Sequence, residues 1–214
     1  MPPRTPRTAR NEQKDPPATT RDRAGGTEQA FLRTATELFR DKGFHGTSIS
    51  DVASAMGVTN ASLYYYFSSK QELLLRVLRS GMETFLESLE DIVATDRPAR
   101  EKLELAVANH LRFVFERGDA VAVFLRERRF LQAPHLDEYQ PRIDRYDELF
   151  TAIIEEGVAS GELPPVDPRL ASLVVLGAIN STIEWYRPEG RLDEDRLAGE
   201  IIDLLLNRML RSED

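Results

Sequence analysis

Apolar residues recur along this chain with the spacing of buried helix faces. From Thr27 onward they return every three or four positions, as Phe31, Ala35 and Phe39 do, which is the period of an amphipathic helix. The alternating pattern that is typical of strands is absent from the sequence. Caps, glycines and prolines divide the chain into about nine segments, near residues 27–43, 48–56, 59–66, 69–92, 100–116, 119–131, 143–160, 167–186 and 193–211. The sequence therefore predicts an all-α fold.

The segments between residues 27 and 70 have the pattern of a helix-turn-helix. Gly43 ends the first helix at a position that favours a left-handed residue, and Thr47 or Ser48 caps the second helix. Gly57 then separates that helix from a short third one, which starts at about Thr59. In this motif the last helix enters the DNA major groove, with its N-terminal residues at the base edges. The sequence therefore predicts a three-helix DNA-binding unit.

The predicted third helix carries small and hydrogen-bonding side chains at its start. Asn60 can bond two edges of one base, most readily adenine, whereas hydroxyl groups discriminate less. If Leu63 and Phe67 face the core, Tyr64 and Tyr65 turn away from it, and their phenols can bond phosphate oxygens. The alternative is that the tyrosines only pack in a core or an interface. The candidate DNA contacts are Thr47, Ser48, Ser50, Thr59, Asn60, Ala61, Ser62, Tyr64, Tyr65 and Lys70.

The net charge of −8 argues against a nucleic-acid binder until its distribution is considered. Residues 1–70 contain ten Lys/Arg and seven Asp/Glu, so the acidic excess lies in the remaining chain. Residues 1–26 are rich in Pro, Thr and Arg and have few apolar side chains, which predicts a disordered basic arm. That arm could lie on DNA phosphates or enter a minor groove, or it could serve only as a solubilising tail.

Other classes of function find less support in the residues. The absence of cysteine excludes disulfides, thiol catalysis and thiolate metal sites. The three histidines, His45, His110 and His135, lie far apart, and no phosphate loop or nucleophile elbow occurs. No apolar run approaches the roughly 20 residues of a membrane span, and no N-terminal signal region is present. We expect a soluble cytoplasmic protein without enzyme activity, cofactor or metal. The rivals are a helical interaction protein that does not bind DNA and a small helical enzyme.

The stretch TELFRDKGFHGTSISDVASAMGVTNASLYYYFSSKQELL, residues 36–74, resembles the DNA-binding domain of the TetR family of transcriptional regulators. The residues in register are Leu38, Phe39, Gly43, Phe44, Thr47, Ile49, Val52, Ala53, Gly57, Val58, Leu63, Tyr64, Phe67 and Lys70. The resemblance implies an all-helical homodimer with one recognition helix in each protomer and a C-terminal ligand-binding domain. It also implies that residues 59–62, Tyr64, Tyr65 and Lys70 touch DNA. This chain departs from many members in having Asn60 where they place Lys or Arg.

Members of that family sense small molecules in their C-terminal half, where this chain offers several candidates. Aromatic side chains could line an apolar pocket, although ordinary core packing is the alternative. Polar residues on apolar helices are more informative because a buried polar group needs a partner. The candidate ligand contacts are His110, Phe113, Phe124, Tyr146, Phe150, Asn180 and Glu184. The stretch EWYRPEGRL, residues 184–192, resembles a subgroup that responds to acyl-CoA thioesters, which implies acyl-CoA or another apolar effector.

The last two predicted helices are too apolar to remain exposed, which predicts that they form a homodimer. A two-fold axis there would match a palindromic operator. The predicted organisation is a basic arm over 1–26, a helix-turn-helix domain over 27–70, and a ligand-binding and dimerisation domain over 71–214. The predicted function is a ligand-responsive transcriptional regulator, a repressor that a small effector releases from double-stranded operator DNA.

Overall fold

The computed structural model describes residues 20–187 and 189–209, and every regular element within these ranges is helical. The α-helices of this part of the chain are α1 (Thr20–Gly46), α2 (Ile49–Ala55), α3 (Asn60–Tyr64), α4 (Lys70–Val93), α5 (Ala99–Glu116), α6 (Gly118–Glu127), α7 (His135–Ser160), α8 (Pro168–Trp185) and α9 (Glu194–Ile202). A 3-10 turn, Arg128–Phe130, continues α6, and π-helical turns, Asp203–Met209, continue α9. The prediction of an all-α fold is confirmed.

The N-terminal helices pack around an aromatic core. Phe31 of α1 meets Phe67 edge-on at 6.1 Å between ring centroids, and Leu63 of α3 is fully buried in the same core. Gly43 interrupts α1 with a φ of 72°, a value that glycine adopts without strain. The chain therefore turns at the predicted position and starts α2 after Ser48, which is the observed cap of the two candidates.

The C-terminal helices form a bundle in which α4, α5, α7 and α8 pack against one another. Its centre consists of large apolar side chains with almost no exposed surface: Leu89, Leu103, Leu111, Phe150 and Ile153. α6 contacts α1 on one side and α4 on the other, and α9 packs on α5. The helices α4 and α6 therefore connect the N-terminal unit to the bundle. None of the helices in the described ranges is both long and apolar enough to cross a membrane.

Two helices begin earlier than the sequence predicted. α1 starts at Thr20 rather than Thr27, so residues 20–26 of the predicted disordered arm are helical, while residues 1–19 lie outside the described residues. The low apolar content of this segment predicted disorder, but the segment extends a helix that is already packed through Phe31, and adding residues to an existing helix costs less than starting one. α7 starts at His135 rather than near residue 143 and continues through Pro141. A proline removes one backbone hydrogen bond, and the buried side chains of Tyr139 and Ile143 offset that loss.

The cap of α4 differs in one detail from a regular capping box. Ser69 caps the helix, and its hydroxyl accepts the Glu72 N–H at 3.1 Å. The carboxylate of Glu72, however, accepts the N–H of Ser68 at 2.7 Å rather than that of Ser69. Both serines therefore fix the turn between α3 and α4, which sets the position of the third helix.

Candidate functional site

The helices α2 and α3 are held in place by capping interactions. The Ser48 hydroxyl accepts the Asp51 N–H at 3.1 Å, while the Asp51 carboxylate accepts the Ser48 N–H at 2.7 Å. Thr59 caps α3, and its hydroxyl accepts the Ser62 N–H at 3.2 Å. Gly57, which lies between the two helices, has a φ of 67° that favours glycine. The turn is thus defined by local sequence, and it presents the start of α3 outward.

The outer face of α3 is exposed and rich in hydroxyl and amide groups. The residues at its start, Thr59, Asn60, Ala61 and Ser62, are all exposed. The exposed fraction is 53% for Tyr64 and 84% for Tyr65. The amide nitrogen of Asn60 donates to the Ser50 hydroxyl at 2.7 Å, which leaves the amide oxygen and one N–H for another partner. This face has the shape and the polar groups that base edges and phosphates require.

Two of the predicted DNA contacts hold the N-terminal unit together. Thr47 is only 2% exposed, and its hydroxyl donates to the Gly43 carbonyl oxygen at 2.9 Å. The Lys70 ammonium donates to the carbonyl oxygens of Phe44 and Thr47 at 2.9 and 3.0 Å. An ammonium group has three N–H donors, so Lys70 keeps one for a phosphate, whereas the single hydroxyl proton of Thr47 is used. The geometry gives both residues a structural role, and their DNA contacts stay predictions.

A second candidate site is a cavity among the C-terminal helices. Its volume is about 270 Å³, and residues from α4, α5, α6, α7 and α8 form its wall. The predicted ligand contacts that line it are His110, Phe113, Phe124, Tyr146 and Asn180. Phe150 lies behind His110, with 6.5 Å between the ring centroids, and Glu184 is exposed, where it accepts from Arg126 at 2.8 Å. Neither of these two residues lines the cavity.

Several residues of the cavity wall were not identified from the sequence. Met82 and Phe85 lie on the buried face of α4, and the helical period of that face could have indicated them. Arg128 and Asp147 also line the cavity, but they come from different helices and no local pattern joins them. Burial raises the pKa of Asp147, and the charge of Arg169, whose guanidinium lies 3.7 Å away, opposes that rise.

Three polar side chains form a hydrogen-bonded chain in the cavity wall. The Nδ1 atom of His110 lies 3.0 Å from the Tyr146 hydroxyl, and its Nε2 atom lies 2.9 Å from the Asn180 amide oxygen. Burial lowers the pKa of His110 to about 4, and the hydrogen bond with Asn180 only partly opposes this. Burial also raises the pKa of Tyr146 well above its usual value. Near neutral pH this chain of side chains is therefore uncharged.

The lowered pKa of His110 makes stability depend on pH. Between about pH 6.5 and pH 4 the unfolded chain binds a proton that the folded chain does not, so stability falls as pH falls through that range. At pH 5 the loss from this residue is about 2 kcal/mol relative to pH 7.5. Urea unfolding measures this effect. The substitution His110→Gln should lower the free energy of unfolding by about 2 kcal/mol less at pH 5 than at pH 7.5. An equal difference at both pH values would contradict a buried neutral histidine.

The combination of an exposed recognition helix and a cavity among the C-terminal helices defines the molecule as a ligand-responsive DNA-binding regulator. A family model described as bacterial regulatory proteins, tetR family, matches residues 31–77. A second one, described as tetracyclin repressor-like, C-terminal domain, matches residues 96–209. The chain belongs to the TetR family of transcriptional regulators.

Individual relatives cover most of the chain. The HTH-type transcriptional repressor KstR2 of Rhodococcus jostii is 27% identical and covers 90% of this chain and 95% of its own length. The crystal structure of a TetR/AcrR family regulator from Thermobifida fusca is 35% identical, with a TM-score of 0.68 over 87% of this chain and 100% of that one. The structure of AibR in complex with isovaleryl coenzyme A and operator DNA is 26% identical, with a TM-score of 0.77 over 83% of this chain and 96% of that one.

Proposed function

We propose that this regulator is a repressor that leaves its operator when a small acyl-type or other apolar effector fills the cavity. The observation that carries the proposal is that α4 serves both sites. Its first residue, Lys70, holds the junction between α1 and α2, and three turns of the same helix line the cavity through Val77, Gly81 and Phe85. A ligand that shifts α4 therefore shifts α3. The ligand acts by binding the DNA-bound and the released arrangement of the protein with different affinities, and no catalysis is involved.

The chemistry of the cavity supports an apolar effector. Most of the lining side chains are aliphatic or aromatic, and the exposed guanidinium of Arg128 lies at the wall, 5.1 Å from the centre of the Phe124 ring. An acyl chain could occupy the apolar part, while Arg128 offers a partner for a phosphate of a carrier group. The AibR complex provides an example of a relative whose structure holds both an acyl-CoA and operator DNA.

We also propose that the protein forms a homodimer through α8 and the C-terminal helical turns. One stripe of α8 exposes large apolar side chains at helical spacing: Leu170, Leu173, Val174 and Trp185. Gly177 lies on the same stripe and lets a second helix approach closely. Leu204 adds to the exposed apolar surface at the end of the chain. A two-fold dimer would present two α3 helices to the two halves of a palindromic operator, in the cytoplasm where a bacterial regulator meets its DNA.

The hydroxyl group of Tyr64 should contribute to operator binding. A hydrogen bond to a charged phosphate is worth about 1.5 kcal/mol or more, so Tyr64→Phe should weaken binding by roughly 10-fold without changing the fold or the dimer. Fluorescence anisotropy with a labelled operator measures this effect. The matched control is Tyr66→Phe, because Tyr66 packs inward on Phe31 at 5.4 Å between ring centroids. Equal affinities of wild type and Tyr64→Phe would exclude the proposed hydroxyl–phosphate contact.

A release assay tests the effector role of the cavity. Octanoyl-CoA is titrated into a preformed complex with labelled operator DNA, with free CoA and octanoate as controls. We expect the thioester to lower operator affinity by at least about 10-fold, within the range of allosteric coupling, while the controls have no effect. If butyryl-, octanoyl- and palmitoyl-CoA all leave the complex intact, the acyl part of the proposal is wrong.

A further inference from the structure

The wall of the cavity combines a cluster of aromatic rings with one uncharged polar site. The ring of Phe85 stacks on Phe113 at 4.6 Å and on Tyr146 at 4.5 Å between ring centroids. The same ring meets His110 edge-on at 4.8 Å. Phe113 and Tyr146 thus cover the two faces of Phe85, and this aromatic cluster lies directly beside the hydrogen-bonded chain of Asn180, His110 and Tyr146. A ligand in the cavity therefore meets aromatic rings and these polar groups together.

The hydrogen-bonded chain keeps unused capacity for a ligand. Both ring nitrogens of His110 are occupied, one by Tyr146 and the other by Asn180. With the proton on Nε2, His110 donates to the amide oxygen, which leaves the two amide N–H groups of Asn180 and a lone pair of Tyr146. With the opposite tautomer and a rotated amide, the chain instead offers the Tyr146 hydroxyl proton and the Asn180 oxygen. In both arrangements it presents at least one donor and one acceptor.

The charges near this polar site disfavour an anion. Among the described residues of the cavity wall, the formal charges belong to Arg128 and Asp147. Arg128 is exposed, whereas the charge of Asp147 acts on the neighbouring Tyr146 and helps to raise its pKa. A carboxylate placed at Tyr146 would therefore meet a negative charge and a neutral histidine. Burying an ionised group without a cationic partner is strongly unfavourable.

We propose that the buried part of the effector is an apolar body with one uncharged polar group, a carbonyl or a hydroxyl, hydrogen-bonded to Asn180 and Tyr146. This inference rests on the proposed role of the cavity as the effector site and specifies which ligands it accepts. Asn180 is the residue that determines specificity, because its amide is the more accessible partner. His110 is a positioning residue that holds Asn180 and Tyr146 in place through its two nitrogens.

Three naphthalenes of nearly equal shape distinguish a neutral polar ligand from an apolar one and from an anion. The neutral ketone is 2-acetylnaphthalene, the hydrocarbon is 2-ethylnaphthalene, and the anion is 2-naphthoate. Binding to the full-length protein without DNA is measured at pH 7.5 by isothermal titration, with Asn180→Leu compared with the wild type. We expect Asn180→Leu to lower the affinity for the ketone by roughly 10-fold more than the affinity for the hydrocarbon, as the loss of one hydrogen bond predicts. Naphthoate should bind at least about 10-fold more weakly than the ketone to the wild type.

A control in the apolar wall shows whether the effect is specific. Val121 lines the cavity, and Val121→Ala should change the affinities for the ketone and the hydrocarbon by the same factor. Circular dichroism of each variant confirms that it is folded, and Asn180→Asp serves as a second variant of similar size if Asn180→Leu does not fold. The Asn180→Asp variant should bind the ketone more weakly than the wild type does. It should also bind naphthoate more weakly than the wild type does.

Three results would overturn the inference. These are an equal effect of Asn180→Leu on the ketone and the hydrocarbon, tighter binding of naphthoate than of the ketone, and a lack of binding by all three compounds. The experiment is independent of the effector role, because no DNA is present. If the ketone binds as expected but does not release the operator, the ligand class is correct and the proposed effector role of the cavity is wrong.

Discussion

A Val174→Glu variant should be monomeric and should bind operator DNA at least about 100-fold more weakly than the wild type. Val174 is 47% exposed in the described chain, and Leu170, one turn earlier on α8, is 61% exposed. In the proposed dimer the substitution would bury an unpaired carboxylate from each protomer, which costs several kcal/mol. A monomer then binds each half-site alone and loses the advantage of simultaneous binding.

Two measurements and one control decide this prediction. Sedimentation equilibrium reports the oligomeric state, and anisotropy with the labelled operator reports affinity. Leu136→Glu is the matched control, because Leu136 is an exposed leucine at the start of α7, outside the apolar stripe of α8. It should leave both the dimer and operator binding unchanged. A Val174→Glu protein that stays dimeric would show that the stripe on α8 is not the interface.

The second large effect is expected at Glu127, the last residue of α6. This side chain is 8% exposed, and its carboxylate accepts the backbone N–H of Phe44 at 2.9 Å. Phe44 lies in the last turn of α1, at the junction between α1 and α2 that Lys70 also holds. On the other side, Phe124 and Arg128 of the same segment line the cavity. Glu127 therefore provides a direct hydrogen bond between the wall of the cavity and the DNA-binding unit.

Removing this hydrogen bond should reduce communication between the two sites. In Glu127→Ala, we expect effector affinity to change by less than about 2-fold, while the effector-induced loss of operator affinity shrinks by roughly 10-fold, within the usual range of coupling energies. Four affinities are measured for each protein: the affinity for operator DNA with and without effector, and the affinity for effector with and without operator DNA. Coupling does not rest on Glu127 alone, because the Gln71 side chain also donates to the Phe130 carbonyl at 2.9 Å.

The neighbouring Arg126 provides the control for Glu127. Arg126 lies on the same turn of α6 but pairs with Glu184 of α8, so it does not connect to the N-terminal unit through that contact. Arg126→Ala should keep the full effect of the effector on operator binding. If Glu127→Ala also keeps it, the hydrogen bond between Glu127 and Phe44 is not required for the transmission.

The sequence predicted the helix-turn-helix well because its signals are local. Gly43, Gly57 and the caps Ser48 and Thr59 each act within a few residues, and a pattern of this kind can be found without knowledge of the fold. The start of α7 was not predicted, because the contacts that determine it are not local. Pro141 is locally a helix breaker, and the tertiary contacts that tolerate it are not visible in the sequence.

The roles of polar and charged residues were predicted less completely, because they depend on how helices cross. His110 and Asn180 were identified as polar residues on apolar helices, and both line the cavity. Lys70 was predicted to contact DNA, yet its ammonium is bonded to two carbonyl groups that lie 23 and 26 residues earlier in the chain. Glu127 meets Phe44 across 83 residues. No local pattern in the sequence joins these pairs.

Selection of bound sequences from a random duplex pool tests most directly whether this chain reads DNA as a dimer. The purified protein is denatured and refolded first to remove any bound ligand, and the bound fraction is sequenced after several rounds at low salt. We expect an enriched palindrome whose half-sites are about 34–36 Å apart from centre to centre, one turn of the double helix. A bound fraction with no enriched sequence would contradict it, and would favour a helical protein that does not recognise an operator.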